Sequence, residues 1–189
     1  QRCTGDRAEL RHTGPGYSDK RSCRTKPIRN TGVQPHEDCN RRTKRKILKE
    51  YAKRSLYNFV KVFWNQVETA QFSDNYHIKL ICDKLQERFI RQINGKKGKD
   101  INVNVPPGSS KSLIASIFYP CWVWLHKPST KIITASYSHK IAEELCYKSG
   151  LILTSELYKS ISAVKLKTAN TTMIRNKFNG YRFVTSSSG

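Results

Sequence analysis

The stretch Ile101-Asn102-Val103-Asn104-Val105-Pro106-Pro107-Gly108-Ser109-Ser110-Lys111-Ser112 decides which fold this chain can adopt. Residues 101–105 alternate β-branched and polar side chains, a pattern that predicts a short strand. The two prolines lack backbone donors and end that strand. Small residues then lead into an apolar helix that is predicted to begin near Lys111. These are the parts of a phosphate-binding loop, in which backbone N–H groups and a helix N-terminus face an anion.

The loop departs from the usual phosphate-loop pattern, which has a glycine, four other residues, a second glycine, a lysine and a serine or threonine. Val105 and Ser110 stand where that pattern has its two glycines. A side chain at Ser110 is expected to crowd the phosphates or to strain the backbone by about 1 kcal/mol. The local residues therefore leave an alternative open, namely an ordinary connection between strand and helix with an exposed Lys111.

Composition sets the class of protein and the class of partner. The chain has 189 residues, 37% of them hydrophobic, which is enough for one domain with a core. Its formal net charge of +21 points to nucleic acid or another polyanion. Without a signal peptide or a long apolar run, the sequence predicts a soluble intracellular protein that does not enter a membrane. It starts at Gln1 without an initiator Met, so we expect a fragment of a longer protein.

Three parts are predicted along the chain. Residues 1–42 are polar, lack an apolar period and are predicted to be a disordered basic extension. Residues 43–100 are predicted to be helical, with one helix over 44–67 and a second helix after residue 75. Residues 101–189 are predicted to form the incomplete front half of an α/β domain. The expected inward positions of the two early helices are Ala52, Leu56, Phe59, Phe63 and Val67, then Ile78, Ile81, Cys82, Leu85 and Phe89.

Further strands are predicted beyond the loop. Residues 131–135 form a second strand, and Ser138 is expected to cap a helix whose inward face includes Ile141, Ala142 and Leu145. Residues 171–174 and 181–185 are expected to be strands around a turn at Asn179-Gly180. Strands that alternate with helices imply a parallel sheet with helical crossovers.

The cysteines give no sign of a metal site or of disulfide bonds. Cys82, Cys121 and Cys146 lie in apolar patterns and are predicted to be reduced core residues. The histidines and cysteines of the extension match the spacing of no common zinc module; they are Cys3, His12, Cys23, His36 and Cys39.

Four stretches of the chain follow one another in an order and at a spacing that are shared by the members of one protein family. They are Phe59-Val60-Lys61-Val62-Phe63-Trp64 with Tyr76-His77-Ile78-Lys79-Leu80-Ile81-Cys82; the loop and its strand; Ile132-Ile133-Thr134-Ala135-Ser136-Tyr137-Ser138-His139 with Ala142-Glu143; and Gly180-Tyr181-Arg182 with Thr185-Ser186 and Gly189. Across residues 55–189 the chain resembles the front half of the ATPase domain in the large subunit of tailed-phage terminases, motors that pump DNA into a procapsid. The resemblance implies a P-loop NTPase fold, a partial parallel sheet flanked by helices.

The resemblance also implies roles for individual residues. Lys111 would contact the β- and γ-phosphates of ATP, and Ser112 would ligate Mg²⁺. Tyr76 and His77 lie where these motors border the adenine; the alternative is that Tyr76 simply packs and that His77 caps or bonds locally. The residues expected to surround the phosphates are Pro107, Gly108, Ser109, Ser110, Lys111 and Ser112.

Two catalytic features of the family have no clear counterpart in the sequence. Many relatives have an arginine where this chain has Gly108, so Arg175 or Arg182, or an arginine from a neighbouring subunit, would have to stabilise the transferring phosphate. For Arg175 and Arg182 an ordinary role at the exposed surface is the alternative. The acidic pair that holds Mg²⁺ is expected beyond Gly189, as is the nuclease, because Glu143 and Glu144 lie in a predicted helix.

The resemblance implies partners and a location as well. The partners would be double-stranded DNA, a portal protein, a small terminase subunit and further copies of the chain in a ring. The location would be the host cytoplasm and, transiently, the viral procapsid. Two other functions stay open on the sequence: a helicase-like nucleic-acid-dependent P-loop ATPase, and a basic nucleic-acid-binding module without catalysis.

Overall fold

A computed structural model describes residues 35–186 of the chain, with side chains from residue 42 onward. The helices are α1 (Pro35–Arg54), α2 (Leu56–Phe63), α3 (Tyr76–Ile93), α4 (Lys111–Leu113), α5 (Tyr119–His126), α6 (His139–Thr154) and α7 (Glu156–Ile161). The strands are β1 (Ile132–Ser136), β2 (Leu166–Ala169), β3 (Met173–Asn176) and β4 (Tyr181–Ser186). A 3₁₀ turn (Trp64–Gln66) follows α2, and a π-helical turn (Ile114–Phe118) joins α4 to α5. Among these helices, none combines the length and the apolar character that crossing a membrane would require.

The early helical region differs from the prediction at its start and in its middle. The helix α1 begins at Pro35, inside the segment predicted to be disordered, because proline suits the first turn of a helix, where its missing N–H is not needed. The single helix predicted over 44–67 is broken at Ser55, whose extended backbone ends α1 and whose hydroxyl accepts a hydrogen bond from the Asn58 N–H at 3.1 Å. Residues 1–34 and the side chains of the five potential zinc ligands lie outside the described part.

The predicted inward faces of these helices are confirmed with one exception. The predicted core residues between Ala52 and Phe89 are buried, except that Val67 and Leu85 are only partly buried. In α6, Ile141 is wrongly placed inward, because 51% of its surface is exposed and Ala142 takes the core position. Ser138 stands at the N-cap of α6, but its side chain caps no backbone N–H.

Aromatic side chains join the helices into one core. The Tyr158 ring packs edge-on against Phe59 and Phe63, with ring centroids 6.4 and 5.9 Å apart. Its hydroxyl donates a hydrogen bond to the Cys121 carbonyl oxygen at 2.9 Å, so the polar end of this fully buried side chain is satisfied.

The three cysteines with described side chains, Cys82, Cys121 and Cys146, are free and buried, which confirms the prediction that they are reduced core residues. Burial raises the pKa of Cys82 and of Cys121 to about 12.

The four strands form one mixed sheet in the order β1-β4-β3-β2. The strands β1 and β4 are parallel, with Thr134 beside Val184, whereas β4–β3 and β3–β2 are antiparallel. The helix α6 contacts β1, β3 and β4. The strands predicted over 131–135 and 181–185 are therefore present, and the one predicted over 171–174 begins two residues later, whereas β2 and α7 were not predicted. The predicted parallel sheet is wrong, because only β1 and β4 pair in parallel. The fold is mixed α/β with a four-stranded mixed sheet and flanking helices.

The strand predicted over residues 101–105 is not part of this sheet. Their side chains alternate between partly buried and exposed, as in a strand, but their backbone pairs with no strand of the described structure. Ile101 and the β1 residues Ile132 and Ile133 line the same cavity of about 350 Å³. The predicted parallel pairing of this segment with the next strand is thus wrong, because no backbone ladder joins it to the described sheet.

Candidate phosphate-binding site

The loop before α4 reverses the chain with two left-handed residues. Gly108 has a φ of 80°, a conformation that glycine adopts without steric cost. Ser110 has a φ of 59° and a ψ of 12°, so the position occupied by glycine in the usual pattern also has a glycine-like backbone here. The expectation of backbone strain at Ser110 is therefore confirmed by its conformation.

Lys111 bends back over the loop. Its Nζ donates hydrogen bonds to the carbonyl oxygens of Val105 and Pro106, each at 3.3 Å. The Ser109 hydroxyl also donates to the Pro106 carbonyl oxygen. Lys111 is half-buried, which differs from the fully exposed lysine of the alternative explanation. Its ammonium group is held at the loop, where it is available to an anion.

The backbone at the start of α4 adds further donors. The N–H groups of Ser110, Lys111 and Ser112 donate to no acceptor in the described part of the chain. The side chain of Ser112 is exposed, so its hydroxyl is accessible to a ligand. Three unpaired N–H groups beside an ammonium group form an arrangement that suits a phosphate.

The start of α3 lies against this loop. The His77 Nε2 is 3.2 Å from the Ser109 carbonyl oxygen, which can only accept, so this nitrogen carries the proton of the hydrogen bond. In the neutral ring Nδ1 is then an acceptor. Tyr76 is 81% exposed and forms no part of the core. The structure thus brings His77 to the loop and leaves the Tyr76 ring in solvent.

An exposed cluster anchors the segment that leads into α3. Lys61 Nζ of α2 forms an ion pair with Asp74 at 2.7 Å, and the Tyr57 hydroxyl donates to the same carboxylate. The hydrogen bond to Asp74 is the main cause that raises the pKa of Lys61. The sequence analysis missed this cluster. The only available signal was the position of Asp74 just before the helix that carries His77.

Arg182 is not available to a phosphate. It is 1% exposed, and its guanidinium donates to the Leu145 and Ser116 carbonyl oxygens, joining α6 to the π-helical turn. Burial lowers its pKa, and its Nε has no hydrogen-bond partner in the described structure. Both the catalytic role and the exposed-surface role considered for Arg182 are therefore wrong, because its alternating position in β4 directs it into the core. Arg175 is exposed and lies on β3.

No carboxylate of the described side chains bonds to Lys111 or Ser112. Glu143 pairs with His139 at 3.5 Å and Glu144 with Lys148 at 3.2 Å, so both lie on α6, as expected. Within the part that the structure describes, no group of three or more His, Cys, Asp or Glu side chains could hold a metal ion. Ser112 is the candidate Mg²⁺ ligand that the loop supplies.

Comparison of the chain with protein-family models, with curated proteins and with solved structures gave no match.

Proposed function

We propose that this chain binds ATP as part of a DNA-packaging ATPase related to the large subunit of tailed-phage terminases. The observation that carries the proposal is the loop before α4, where Lys111 is held over backbone donors that lack acceptors among the described residues. A left-handed Ser110 and a contact to His77 agree with the expected loop and with the expected neighbourhood of Tyr76 and His77.

Each residue of the site has a proposed role toward the nucleotide. Lys111 leaves its carbonyl partners and contacts the β- and γ-phosphates, while the N–H groups of Ser110 and Ser112 donate to the same anion. The exposed Ser112 hydroxyl would hold Mg²⁺, which would neutralise phosphate charge. The exposed ring of Tyr76 offers a face for the adenine, and the Nδ1 of His77 offers an acceptor. Pro107, Gly108 and Ser109 complete the loop around the phosphates.

The proposed partners follow from the same function. They are double-stranded DNA, a portal protein, a small terminase subunit and other copies of the chain in a ring. The site of action is the host cytoplasm, transiently at the procapsid. The net charge of +21 supports a polyanionic partner. A helicase-like ATPase would use the same loop and differ in its partners.

A second function is favoured by a separate observation. No described carboxylate bonds to Lys111 or Ser112, and P-loop ATPases need carboxylates to hold Mg²⁺ and to position the attacking water. A basic nucleic-acid-binding module without catalysis would satisfy this observation. In that case the loop would only connect the extended segment 101–105 to the helix α4.

Titration with a fluorescent ATP analogue tests the proposal. We expect wild-type protein to bind the analogue weakly and Lys111→Ala to lose binding, because its ammonium group is the only side-chain cation that the described residues place at the loop. Lys159→Ala is the matched control, since Lys159 is an exposed helix lysine paired with Glu156 and should leave binding unchanged. Equal affinity of wild type and Lys111→Ala would remove the nucleotide site and favour the non-catalytic module.

A further inference from the structure

The helix α1 carries a dense set of cations. Seven lie between residues 42 and 54, against a single carboxylate, Glu50. None of the seven forms an ion pair with a carboxylate among the described residues. We call them the α1 basic surface; they are Arg42, Lys44, Arg45, Lys46, Lys49, Lys53 and Arg54.

The other helices distribute their charge differently. Lys61, Lys79, Lys84 and Lys159 each pair with a carboxylate, at 2.7, 2.9, 3.4 and 2.8 Å. Arg88, Arg91 and Lys148 are paired as well. A paired cation contributes little to the field at a distance, because its partner cancels it. The unpaired positive charge of the described helices is therefore concentrated on α1.

The geometry of α1 suits an extended polyanion. At about 1.5 Å per residue, residues 42–54 span roughly 18 Å of a straight helix. Arg42, Lys46, Lys49 and Lys53 follow one another at steps of four, three and four residues, so they share one side of the helix. Double-stranded DNA presents one phosphate charge per roughly 1.7 Å of its axis. One side of α1 can thus lie along several phosphates at once.

The last residue of α5, His126, lies close to Lys53 of α1. Partial burial, together with the positive charge of Lys53, holds the pKa of His126 below its ordinary value. The neighbouring Lys127 is exposed, and no ion pair of the described structure involves it.

We propose that the α1 basic surface binds the phosphate backbone of double-stranded DNA without reading its sequence. The inference takes only the class of partner from the proposed function and does not depend on the ATP site. An anionic membrane fits the surface less well. A helix that lies in a membrane needs a broad apolar face, and among the described side chains of α1 the exposed large apolar ones are Ile47 and Tyr51 alone.

Anisotropy titrations with a labelled duplex at several salt concentrations test the surface. The test variant replaces Arg42, Lys46 and Lys49 by Gln, three of the four cations that share one side of α1, none of which forms an ion pair with a described carboxylate. The control replaces Lys79, Lys84 and Lys159 by Gln, which removes the same charge from ion-paired positions. We expect the slope of log affinity against log salt to become shallower by about 0.9 for each phosphate that the test variant no longer neutralises, and to change little in the control.

Several outcomes would overturn the inference. One is an equal change of slope in both triple variants, which would mean that only net charge matters. Others are binding that prefers one duplex sequence, or binding of vesicles of phosphatidylserine and phosphatidylcholine that exceeds binding of DNA. Circular dichroism of both variants establishes that the helices are intact. Lys111→Ala separates the two proposals, because it should keep the wild-type DNA slope while losing ATP.

Discussion

Ser110 has a side chain at a position whose backbone favours glycine. A left-handed conformation costs a non-glycine residue about 1–2 kcal/mol, and Ser110 makes no capping hydrogen bond that would offset this cost. Strain of this kind persists where the surrounding structure fixes the backbone, and it is common at ligand sites. Here the fixed neighbours are Lys111, bonded to two carbonyl oxygens, and Ser109, bonded to Pro106.

We predict that Ser110→Gly stabilises the protein by about 1 kcal/mol and tightens ATP binding. The glycine removes both the backbone strain and the Cβ that stands near the expected phosphates. Ser160→Gly is the control, because the same replacement at an exposed position of α7 should destabilise by roughly 0.5–1 kcal/mol and leave ATP binding unchanged. Urea unfolding and the fluorescent ATP titration measure both effects. A destabilised Ser110→Gly would mean that the serine side chain, rather than the backbone, holds the loop.

The turn between β3 and β4 is fixed by close packing. A Cβ on Gly180 would lie 2.0 Å from the Pro128 carbonyl oxygen and 2.7 Å from Asn176 Nδ2. The buried Asn176 side chain donates to the Pro128 carbonyl oxygen and accepts from the Gly180 N–H at 3.0 Å. These bonds tie the hairpin to the segment between α5 and β1.

We predict that Gly180→Ala destabilises the protein by about 2–4 kcal/mol, because the methyl group collides with a backbone oxygen that cannot move alone. Gly95→Ala is the matched control. Gly95 also has a positive φ, 71°, but its Cβ would meet nothing within 4 Å, so only about 1 kcal/mol of backbone strain is expected. Equal unfolding midpoints in urea for the two variants would show that the hairpin can move away from Pro128.

The elements could be predicted where local pattern and packing agree. The period of α3 and the alternation of β4 are visible in the sequence because each element buries one face. The break at Ser55 could not be predicted with the same certainty, since the apolar period continues through it. The segment 101–105 failed as a strand for a different reason. Alternation describes which side chains are buried, but a strand also needs backbone partners on a neighbouring strand, and residues 101–105 have none in the described sheet.

Only the part of the site that lies in one contiguous stretch of sequence could be predicted. Lys111, Ser112 and the strained Ser110 follow from a contiguous pattern. The contact between His77 and Ser109 joins residues far apart in the chain, and no local pattern indicates it. The burial of Arg182 depends on which face of β4 meets α6, which a short strand with polar residues on both sides leaves undecided.

At the scale of the whole molecule, nearly all carboxylates with described side chains are already engaged. Every described carboxylate except that of Glu50 has a basic partner, and these pairs lie on the helices and on the loops that precede or follow them. Phosphoryl transfer needs charge stabilisation and a positioned nucleophile, and losing an arginine at the phosphate alone can reduce the rate by about 10³–10⁵. The loop has Gly108 in place of such an arginine, and Arg182 is buried.

We therefore predict that this chain binds ATP but releases phosphate at a rate indistinguishable from a protein-free blank, with or without Mg²⁺. The binding groups and the catalytic groups are separable, because Lys111 and backbone donors hold phosphates without moving a proton. A phosphate-release assay on wild type, beside Lys111→Ala and with added duplex DNA, measures the rate. Hydrolysis that is present in wild type and absent in Lys111→Ala would contradict the prediction. Glu143→Gln and Glu144→Gln would then test whether either carboxylate of α6 supplies the catalytic base.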